Sequence, residues 1–281
     1  MVTRRTFMKS LGLSALAPAA LSALSADEAP RSPALEAKTL RLVQYCDPQL
    51  GFGEEGFGPS LGRFHKAIDL INDLNPDVVT VLGDLIHRYS DPVDEMVNGL
   101  KRIKPQLIVA PGNHDIPDPV TPEKLTRYRN DFGPDRQSAL INGWKLICVN
   151  TQLWRESPPE ETAAQDEWLA AELDDVKTRG IPAIVLSHIP PYIAYPNEGD
   201  SWAVLTNENE LRKNLLVKMT ESGVRFWLAG HTHETIARVF DGMLILNGET
   251  TSTNFDKRPY GVRLLTAEPN GDYRWDFIKV E

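Results

Sequence analysis

Residues 106–115 read Gln-Leu-Ile-Val-Ala-Pro-Gly-Asn-His-Asp, an apolar run followed at once by a turn and three polar side chains. A short apolar run bounded by Pro and Gly predicts a buried strand that ends at residue 110. Asn113, His114 and Asp115 would then lie in the loop at the carboxyl end of that strand. Open α/β sheets place their sites at this end, so the stretch predicts an α/β fold with a site there.

Four other apolar runs also end in side chains that can bind a metal ion. These side chains are Asp47 after residues 39–46, Asp84 after 77–82, His188 after 183–186, and His231 and His233 after 224–228. Carboxylate oxygen, amide oxygen and imidazole nitrogen are the donors of a dinuclear hydrolytic centre, whereas a thiolate-rich zinc site needs cysteines that these loops lack. The pattern therefore predicts a metal centre where the five strands end.

The order and spacing of these motifs resemble those of the calcineurin-like metallophosphoesterase family. The family's motifs are Asp-x-His, Gly-Asp, Gly-Asn-His-Asp/Glu, a lone His and Gly-His-x-His, and the matching residues here run from Asp47 to His233. The resemblance implies an α/β fold, a four-layer α/β/β/α sandwich of two mixed sheets flanked by helices.

The resemblance also implies a ligand set for two divalent or trivalent metal ions, for which Mn, Fe, Zn and Mg are all candidates. Asp84 matches the carboxylate that bridges the two ions. The other matches are Asp47 and His233 at the first ion, and Asn113, His188 and His231 at the second.

The first motif departs from the family pattern at its third residue. It reads Asp47-Pro48-Gln49, so Gln49 stands where the second ligand of the first ion is usually His. An amide oxygen is a weaker donor than imidazole toward transition metals, so we expect a looser first site or one with a different metal preference. A branch of the family that includes a phosphoprotein phosphatase group carries this Asp-Pro-Gln variant.

The implied activity is hydrolysis of phosphoric esters, most simply of phosphomonoesters, by a metal-activated water. His114 resembles the family's histidine that contacts the phosphate or protonates the leaving group, and we expect Asp115 to fix its tautomer. The motifs leave open a phosphodiesterase, a pyrophosphohydrolase, and a non-catalytic metal-binding relative. His87 is predicted to be a hydrogen-bond partner near the site or a cap of the following turn.

Two loops beside predicted ligands are candidates for substrate contact. Residues 51–60 are rich in glycine and carry Phe52, and residues 190–202 carry Tyr195 and Trp202. Such segments form a lid or a substrate wall in many enzymes, but they can equally pack over the end of a sheet.

The remaining pattern along the chain fits this architecture. Helices are predicted over residues 61–74, 93–103, 162–178 and 208–221, between the strands named above. Asn142-Gly143, Asp241-Gly242 and a turn at residues 269–271 are hairpin signals, so the carboxyl end is predicted to be antiparallel sheet. Residues 38–281 are predicted to form one catalytic domain.

Charge excludes a general nucleic-acid partner. The chain has 30 Lys and Arg against 39 Asp and Glu, which gives a formal net charge of −9. A polyanion would be repelled by such a surface, and the partner we expect is a phosphorylated substrate of the active site.

The first 26 residues resemble a twin-arginine (Tat) export signal. Arg4 and Arg5 precede Phe7, and an uncharged stretch rich in Leu, Ala and Ser follows Lys9. That stretch is too broken by Pro and small residues for stable insertion in a membrane. We expect a periplasmic or extracellular bacterial protein whose precursor meets the Tat machinery. The alternative is a disordered basic tail.

Overall fold

The computed structural model describes residues 36–53, 57–89, 93–155, 157–199, 201–205 and 209–281. The elements are, in chain order, β1 Leu40–Cys46, α1 Phe57–Leu74, β2 Val78–Leu82, α2 Val93–Leu100, β3 Gln106–Ala110, α3 Pro122–Phe132, β4 Gln137–Ile141, β5 Trp144–Cys148, α4 Pro159–Arg179, β6 Ala183–Leu186, α5 Asn209–Ser222, β7 Val224–Ala229, β8 Ala237–Phe240, β9 Met243–Asn247, β10 Gly261–Ala267 and β11 Tyr273–Lys279.

These strands form two mixed sheets. The first has the order β11-β10-β1-β2-β3 and the second the order β4-β5-β6-β7-β9-β8. Strands β1, β2 and β3 are parallel to one another, as are β5, β6, β7 and β9. Strand β3 is a parallel edge, and the other three edges are antiparallel hairpins, at Asn142-Gly143, at Asp241-Gly242 and between β10 and β11, as the turn signals predicted.

Three apolar clusters separate four layers. Between the sheets, side chains of β1 and β2 such as Leu42 and Leu82 meet side chains of β6 and β7 such as Leu186 and Leu228. Helices α1, α2 and α3 cover the outer face of the first sheet, and α4 and α5 cover the outer face of the second. Because both faces of each sheet are covered, the central strands are apolar almost throughout. The predicted α/β/β/α arrangement is confirmed.

The predicted helices form with shifted ends. Helix α1 begins at Phe57 rather than residue 61, α2 ends at Leu100 rather than 103, and α4 extends the predicted helix at both ends. Helix α3 was not predicted at all. It buries only Leu125 and Tyr128, and its sequence is predominantly charged and polar, so few apolar residues mark it as a helix. Its start is nevertheless well specified, because the Thr121 hydroxyl accepts the Lys124 N–H and Pro122 follows the cap.

The predicted export signal, residues 1–26, lies outside the part of the chain that the structure describes. Among the helices that it does describe, none combines the length and the apolar character needed to cross a bilayer.

Candidate metal centre

The predicted ligands stand at sharp turns directly after the strands. Asp47 follows β1 with φ of 48°, and Asp84 follows β2 with φ of 47°. His231 and His233, after β7, have φ of 69° and 52°. Left-handed backbone costs non-glycine residues about 1–2 kcal/mol each, and it clusters at functional sites because the chain must turn at once toward a shared point.

The side chains form two buried groups that share one carboxylate. Asp84 with His188 and His231 makes one group, and Asp47 with Asp84 and His233 makes the other. Within each group the candidate ligand atoms all lie within 4.8 Å of one another. The first sheet contributes the two aspartates and the second sheet the three histidines, so the groups span the gap between the sheets.

Each of these histidines has one ring nitrogen on a backbone carbonyl oxygen. His188 Nδ1 lies 2.9 Å from the Leu82 oxygen, and His231 Nε2 lies 2.9 Å from the Trp202 oxygen. His233 Nδ1 contacts the oxygen of Thr253 in the same way. Since a carbonyl oxygen only accepts, these nitrogens carry the protons, and the opposite nitrogens keep lone pairs for a metal ion.

The lone pairs converge on one another. His188 Nε2 lies 3.0 Å from Asn113 Oδ1, 3.1 Å from His231 Nδ1 and 3.4 Å from Asp84 Oδ1. With the tautomers fixed as above, all four atoms are acceptors, and a cation among them would satisfy all four. The arrangement fits a bound metal ion, to which Asn113 would supply an amide oxygen.

The pKa values of the two histidines move in opposite directions. Burial opposes charge on His188, but the carboxylates of Asp84 and Asp47 outweigh it and raise the His188 pKa to about 9. Burial, together with the charge on His188, lowers the pKa of His231 to about 3. Both shifts come from the close packing of carboxylates and imidazoles, and a metal ion bound there would compete with protons for the same ring nitrogens.

Gln49 is also built into the centre. Its N–H donates to the Asp84 carbonyl oxygen at 2.7 Å, and its φ is 36°. The side chain is buried, and Oε1 has no hydrogen-bond partner among the described residues. A buried carbonyl oxygen without a partner costs about 1–3 kcal/mol, and a metal ion would satisfy it. The donor set is then oxygen and imidazole nitrogen, which suits Mn, Fe, Zn or Mg.

His114 lies beside the centre and on its open side. Its N–H donates to Asp84 Oδ1 at 2.9 Å, and its Nδ1 lies 2.9 Å from the His87 carbonyl oxygen. Its Nε2 is 3.9 Å from Asp84 Oδ2, and the side chain is 31% exposed. The ring is therefore held through Nδ1, and Nε2 remains available to a ligand that enters from solvent. His87 is the hydrogen-bond partner expected near the site, through its backbone.

The prediction that Asp115 fixes the tautomer of His114 is wrong. The Asp115 carboxylate accepts the N–H of Gly112 at 2.8 Å and that of Leu85 at 3.0 Å, and burial raises its pKa, with the charge on Asp84 adding to the rise. These bonds join the loop after β3 to the loop after β2. Asp115 thus positions the residues around Asp84, while the His87 carbonyl oxygen sets the ring of His114.

Two glycines of the motifs are required because the backbone there lies very close to the aspartates of the site. A Cβ at Gly112 would lie 2.2 Å from Asp84 N and 2.2 Å from Asp84 Oδ1. A Cβ at Gly230 would lie 2.5 Å from Asp47 Oδ2. Both distances are far below van der Waals contact, so only glycine allows these loops to reach the carboxylates.

Several groups of the site were not identified from the sequence. The backbone oxygens of Leu82, Trp202 and Thr253 orient three histidines, and a backbone atom carries no signature of its own. Phe255 was also missed, although its ring stacks on His233 with centroids 4.8 Å apart. The signal that could have found it is an apolar ring at the end of the polar run 250–254. Trp202 reaches the centre through its backbone oxygen, a contact that fits both the substrate wall and the packing role considered for its loop.

The family model of calcineurin-like phosphoesterases matches residues 44–235 of this chain. Human serine/threonine-protein phosphatase CPPED1 is 27% identical over 251 residues, which cover 79% of each chain. A dimetal phosphatase from Danio rerio has a similar structure, with a TM-score of 0.61 at 15% identity over 87% of this chain and 100% of that one. A purple acid phosphatase from yellow lupin is also similar in structure, with a TM-score of 0.63 at 17% identity. The match covers 88% of this chain and 52% of the lupin chain.

The chain therefore belongs to the calcineurin-like phosphoesterase family, as predicted. It is a metallophosphoesterase, an enzyme of phosphoric ester hydrolysis, with residue groups that could hold metal ions. The two solved structures, at their low identities, confirm the sandwich fold alone.

Proposed function

We propose that this enzyme hydrolyses phosphoric monoesters with a dinuclear metal centre in which Asp84 is shared. The observation that carries the proposal is the presence of Asp84 in both buried ligand groups. Two ions held there would neutralise the phosphoryl oxygens and lower the pKa of a water between them toward about 7.

In this proposal the chain divides its ligands between two ions. Asp47, Gln49 and His233 hold the first and Asn113, His188 and His231 the second, with Asp84 common to both. Backbone carbonyl oxygens keep the three rings oriented, so little reorganisation accompanies the reaction. The buried position of the carboxylates strengthens their attraction for the cations because solvent screening is weak there.

His114 acts on the substrate and not on the metal. Its main-chain N–H and its Nδ1 are both engaged, which leaves Nε2 as the one ring atom that can reach an ester oxygen. From that atom it stabilises the phosphoryl group or gives a proton to the leaving oxygen. Asp115 supports the chemistry indirectly, by holding the two loops that carry Asp84 and Asn113.

The named relatives support a phosphatase, and the chain's own Asp47-Pro48-Gln49 motif is the support for the Asp-Pro-Gln branch. CPPED1 from human and from Danio rerio carries the name serine/threonine-protein phosphatase, and both align with about four-fifths of this chain, at 27% and 24% identity. A phosphorylated protein is accordingly one substrate class to test. A diester or pyrophosphate substrate and a non-catalytic relative are the alternatives.

The test is a substrate screen on purified protein loaded with Mn, Mg, Zn or Fe. It includes phosphomonoesters, phosphodiesters, pyrophosphates and phosphopeptides, with metal content measured on the same sample. We expect monoesters to be hydrolysed fastest and two metal equivalents to be bound. Faster hydrolysis of diesters, or two bound equivalents without turnover of any ester, would replace the proposal by the corresponding alternative.

We further propose export of the folded enzyme to the periplasm or the exterior by the Tat machinery, with residues 1–26 as the signal. The support is the Arg4-Arg5 pair followed by an uncharged stretch.

A further inference from the structure

We propose that Phe52 and Phe255 form a leaving-group subsite for phosphoric esters whose ester oxygen is bonded to an aromatic ring. This inference rests on the proposed function and names the substrate class of that same site.

A continuous row of rings leads from His114 to the solvent. The centroids of His114 and His87 lie 4.9 Å apart, and those of His87 and Phe52 also lie 4.9 Å apart. Phe52 then meets Phe255 at 6.4 Å, with the planes at 76°. Since His114 is the residue placed to serve the leaving oxygen, the group bonded to that oxygen lies along this row.

Both phenylalanines are fixed to predicted ligands through the backbone. The Phe52 N–H donates to the Gln49 oxygen at 3.0 Å, and the Phe255 N–H donates to the His233 oxygen at 3.2 Å. The Phe255 ring also stacks on the His233 ring with 15° between their planes. The two rings are thus held in place before a substrate arrives, which reduces the entropy lost on binding.

The exposure of Phe255 leaves the outer part of its ring accessible to a substrate. The residue is 49% exposed, while most large apolar side chains of the chain are buried. An aromatic ring whose second face is open offers a flat surface, and planar partners prefer it over aliphatic ones through offset or edge-to-face stacking. The Phe52 ring also lies 5.5 Å from the His233 ring by centroid, so both phenylalanines flank the metal-ligand side of the row, where a leaving group would extend from the centre.

Trp202 lies at the other ligand group and is not part of the subsite. Its ring centroid is 5.0 Å from that of His231, and it is 60% exposed. His231 and His233 belong to different groups around Asp84, so Trp202 and Phe255 flank opposite ends of the centre. Substitutions at Trp202 and Phe255 can therefore test at which end of the centre the leaving group binds.

The experiment is calorimetric titration of the metal-loaded full chain with phenylphosphonate, cyclohexylphosphonate and inorganic phosphate. The two phosphonates have the same charge and similar size, and their P–C bond is not hydrolysed, so their affinities differ by ring planarity. We expect phenylphosphonate to bind about three- to tenfold more tightly than cyclohexylphosphonate. Phe255→Leu and Phe52→Leu should each reduce this ratio toward one. Because both rings touch His233, the ratio is taken within each variant, with metal content and phosphate affinity measured on the same sample.

Tyr195→Leu is the matched control, because Tyr195 is 57% exposed but lies in the other loop. Its ratio should equal that of the parent. Equal affinities of the parent for the two phosphonates, or a preserved ratio in the Phe52→Leu/Phe255→Leu double variant, would overturn the subsite. Loss of the ratio in Trp202→Leu instead would place the leaving group at the opposite end.

The same titrations separate the two proposals. Tight binding of inorganic phosphate and turnover of simple monoesters, with equal phosphonate affinities, would leave the proposed function standing and remove the subsite alone. Absence of phosphate binding and of turnover would remove both. O-phosphotyrosine carries its ring on the ester oxygen, whereas a nucleoside monophosphate carries its ring beyond a sugar. We expect O-phosphotyrosine to compete better with phenylphosphonate for the site.

Discussion

The backbone oxygen of Trp202 and Nε2 of His231 lie 2.9 Å apart, so a loop residue orients a buried ring of the metal centre. Arg155 supports the same oxygen, because its Nη1 lies 3.4 Å from the Trp202 oxygen and 3.3 Å from the Val204 oxygen. Arg155 in turn pairs with Asp118 at 3.4 Å. The position of the 190–202 loop is therefore linked to the ring that faces His188.

Arg155→Met should weaken metal binding at the group that contains His231. The substitution keeps much of the side-chain length but removes the donors that hold the Trp202 oxygen, and changes around ligating histidines typically cost about 10- to 100-fold in affinity. A metal titration should show one weakened site and one unchanged site. Arg102→Met, which removes an exposed ion pair with Asp69, is the control and should leave both sites unchanged.

Asp84→Asn should lose metal and nearly all activity. The amide removes a negative charge from between two cations, and its NH₂ group has no lone pair with which to bind a metal ion. Elemental analysis and a monoesterase assay measure both effects. Asp77→Asn is a matched control, because Asp77 lies just before strand β2, exposed, while Asp84 follows it. Full metal occupancy with ordinary turnover in Asp84→Asn would refute the shared ligand.

His114→Ala should cost about 10²- to 10⁴-fold in rate while metal content stays near normal. Since a good leaving group needs no proton, the loss should shrink as the leaving-group pKa falls. A series of phosphomonoesters with graded leaving groups measures the trend. Loss of metal, or equal losses across the series, would assign His114 another role.

Gln49→His should tighten the metal bound by Asp47 and His233, by about 10- to 100-fold, and shift its preference toward softer transition metals. Imidazole is a stronger metal donor than the amide oxygen of Gln49, which has no hydrogen-bond partner among the described residues. Turnover is a poor readout because a tighter ion can hold its water too firmly. A metal titration of both forms is the measurement, and identical affinities at both sites would mean that Gln49 does not stand at the metal.

Replacing Arg4 and Arg5 by Lys should trap the precursor inside the cell. A twin-arginine signal depends on the arginine pair and not on positive charge alone. The double variant therefore keeps the charge but lacks the export signal. Fractionation followed by immunoblotting measures the distribution. Unchanged distribution of the variant would exclude this route.

The side chains of the centre could be predicted because each follows a run that only a buried strand explains. Asp84 and His188 are far apart in the sequence, yet parallel strands that end at one edge bring such residues together. The partners of those side chains could not be predicted. Asp115 was expected to contact the ring beside it in sequence, but its carboxylate satisfies backbone N–H groups of two loops. Which acceptor a ring finds depends on tertiary packing, as with His231 and Trp202.

The same distinction explains the helices. Helix α1 was found because apolar residues recur along its buried face. Helix α3 was missed because its sequence is predominantly charged and polar, and Leu125 and Tyr128 are its only buried side chains. Its capping residue Thr121 and Pro122 were present in the sequence as a start signal. A helix held mainly by its cap and two anchors depends on the surface that the rest of the fold presents to it.

The ligand residues come from both sheets, with Asp47 and Asp84 after strands of the first and His188 and His231 after strands of the second. Neither sheet alone offers a complete set, so the centre exists only after the sandwich has assembled. Ions bound there would cross-link two layers that otherwise adhere through apolar side chains. Because such ions would bind only the assembled state, they would stabilise it by about 2.7 kcal/mol at a hundredfold excess over Kd. The concentration of available metal would then contribute to how firmly the two sheets stay packed together.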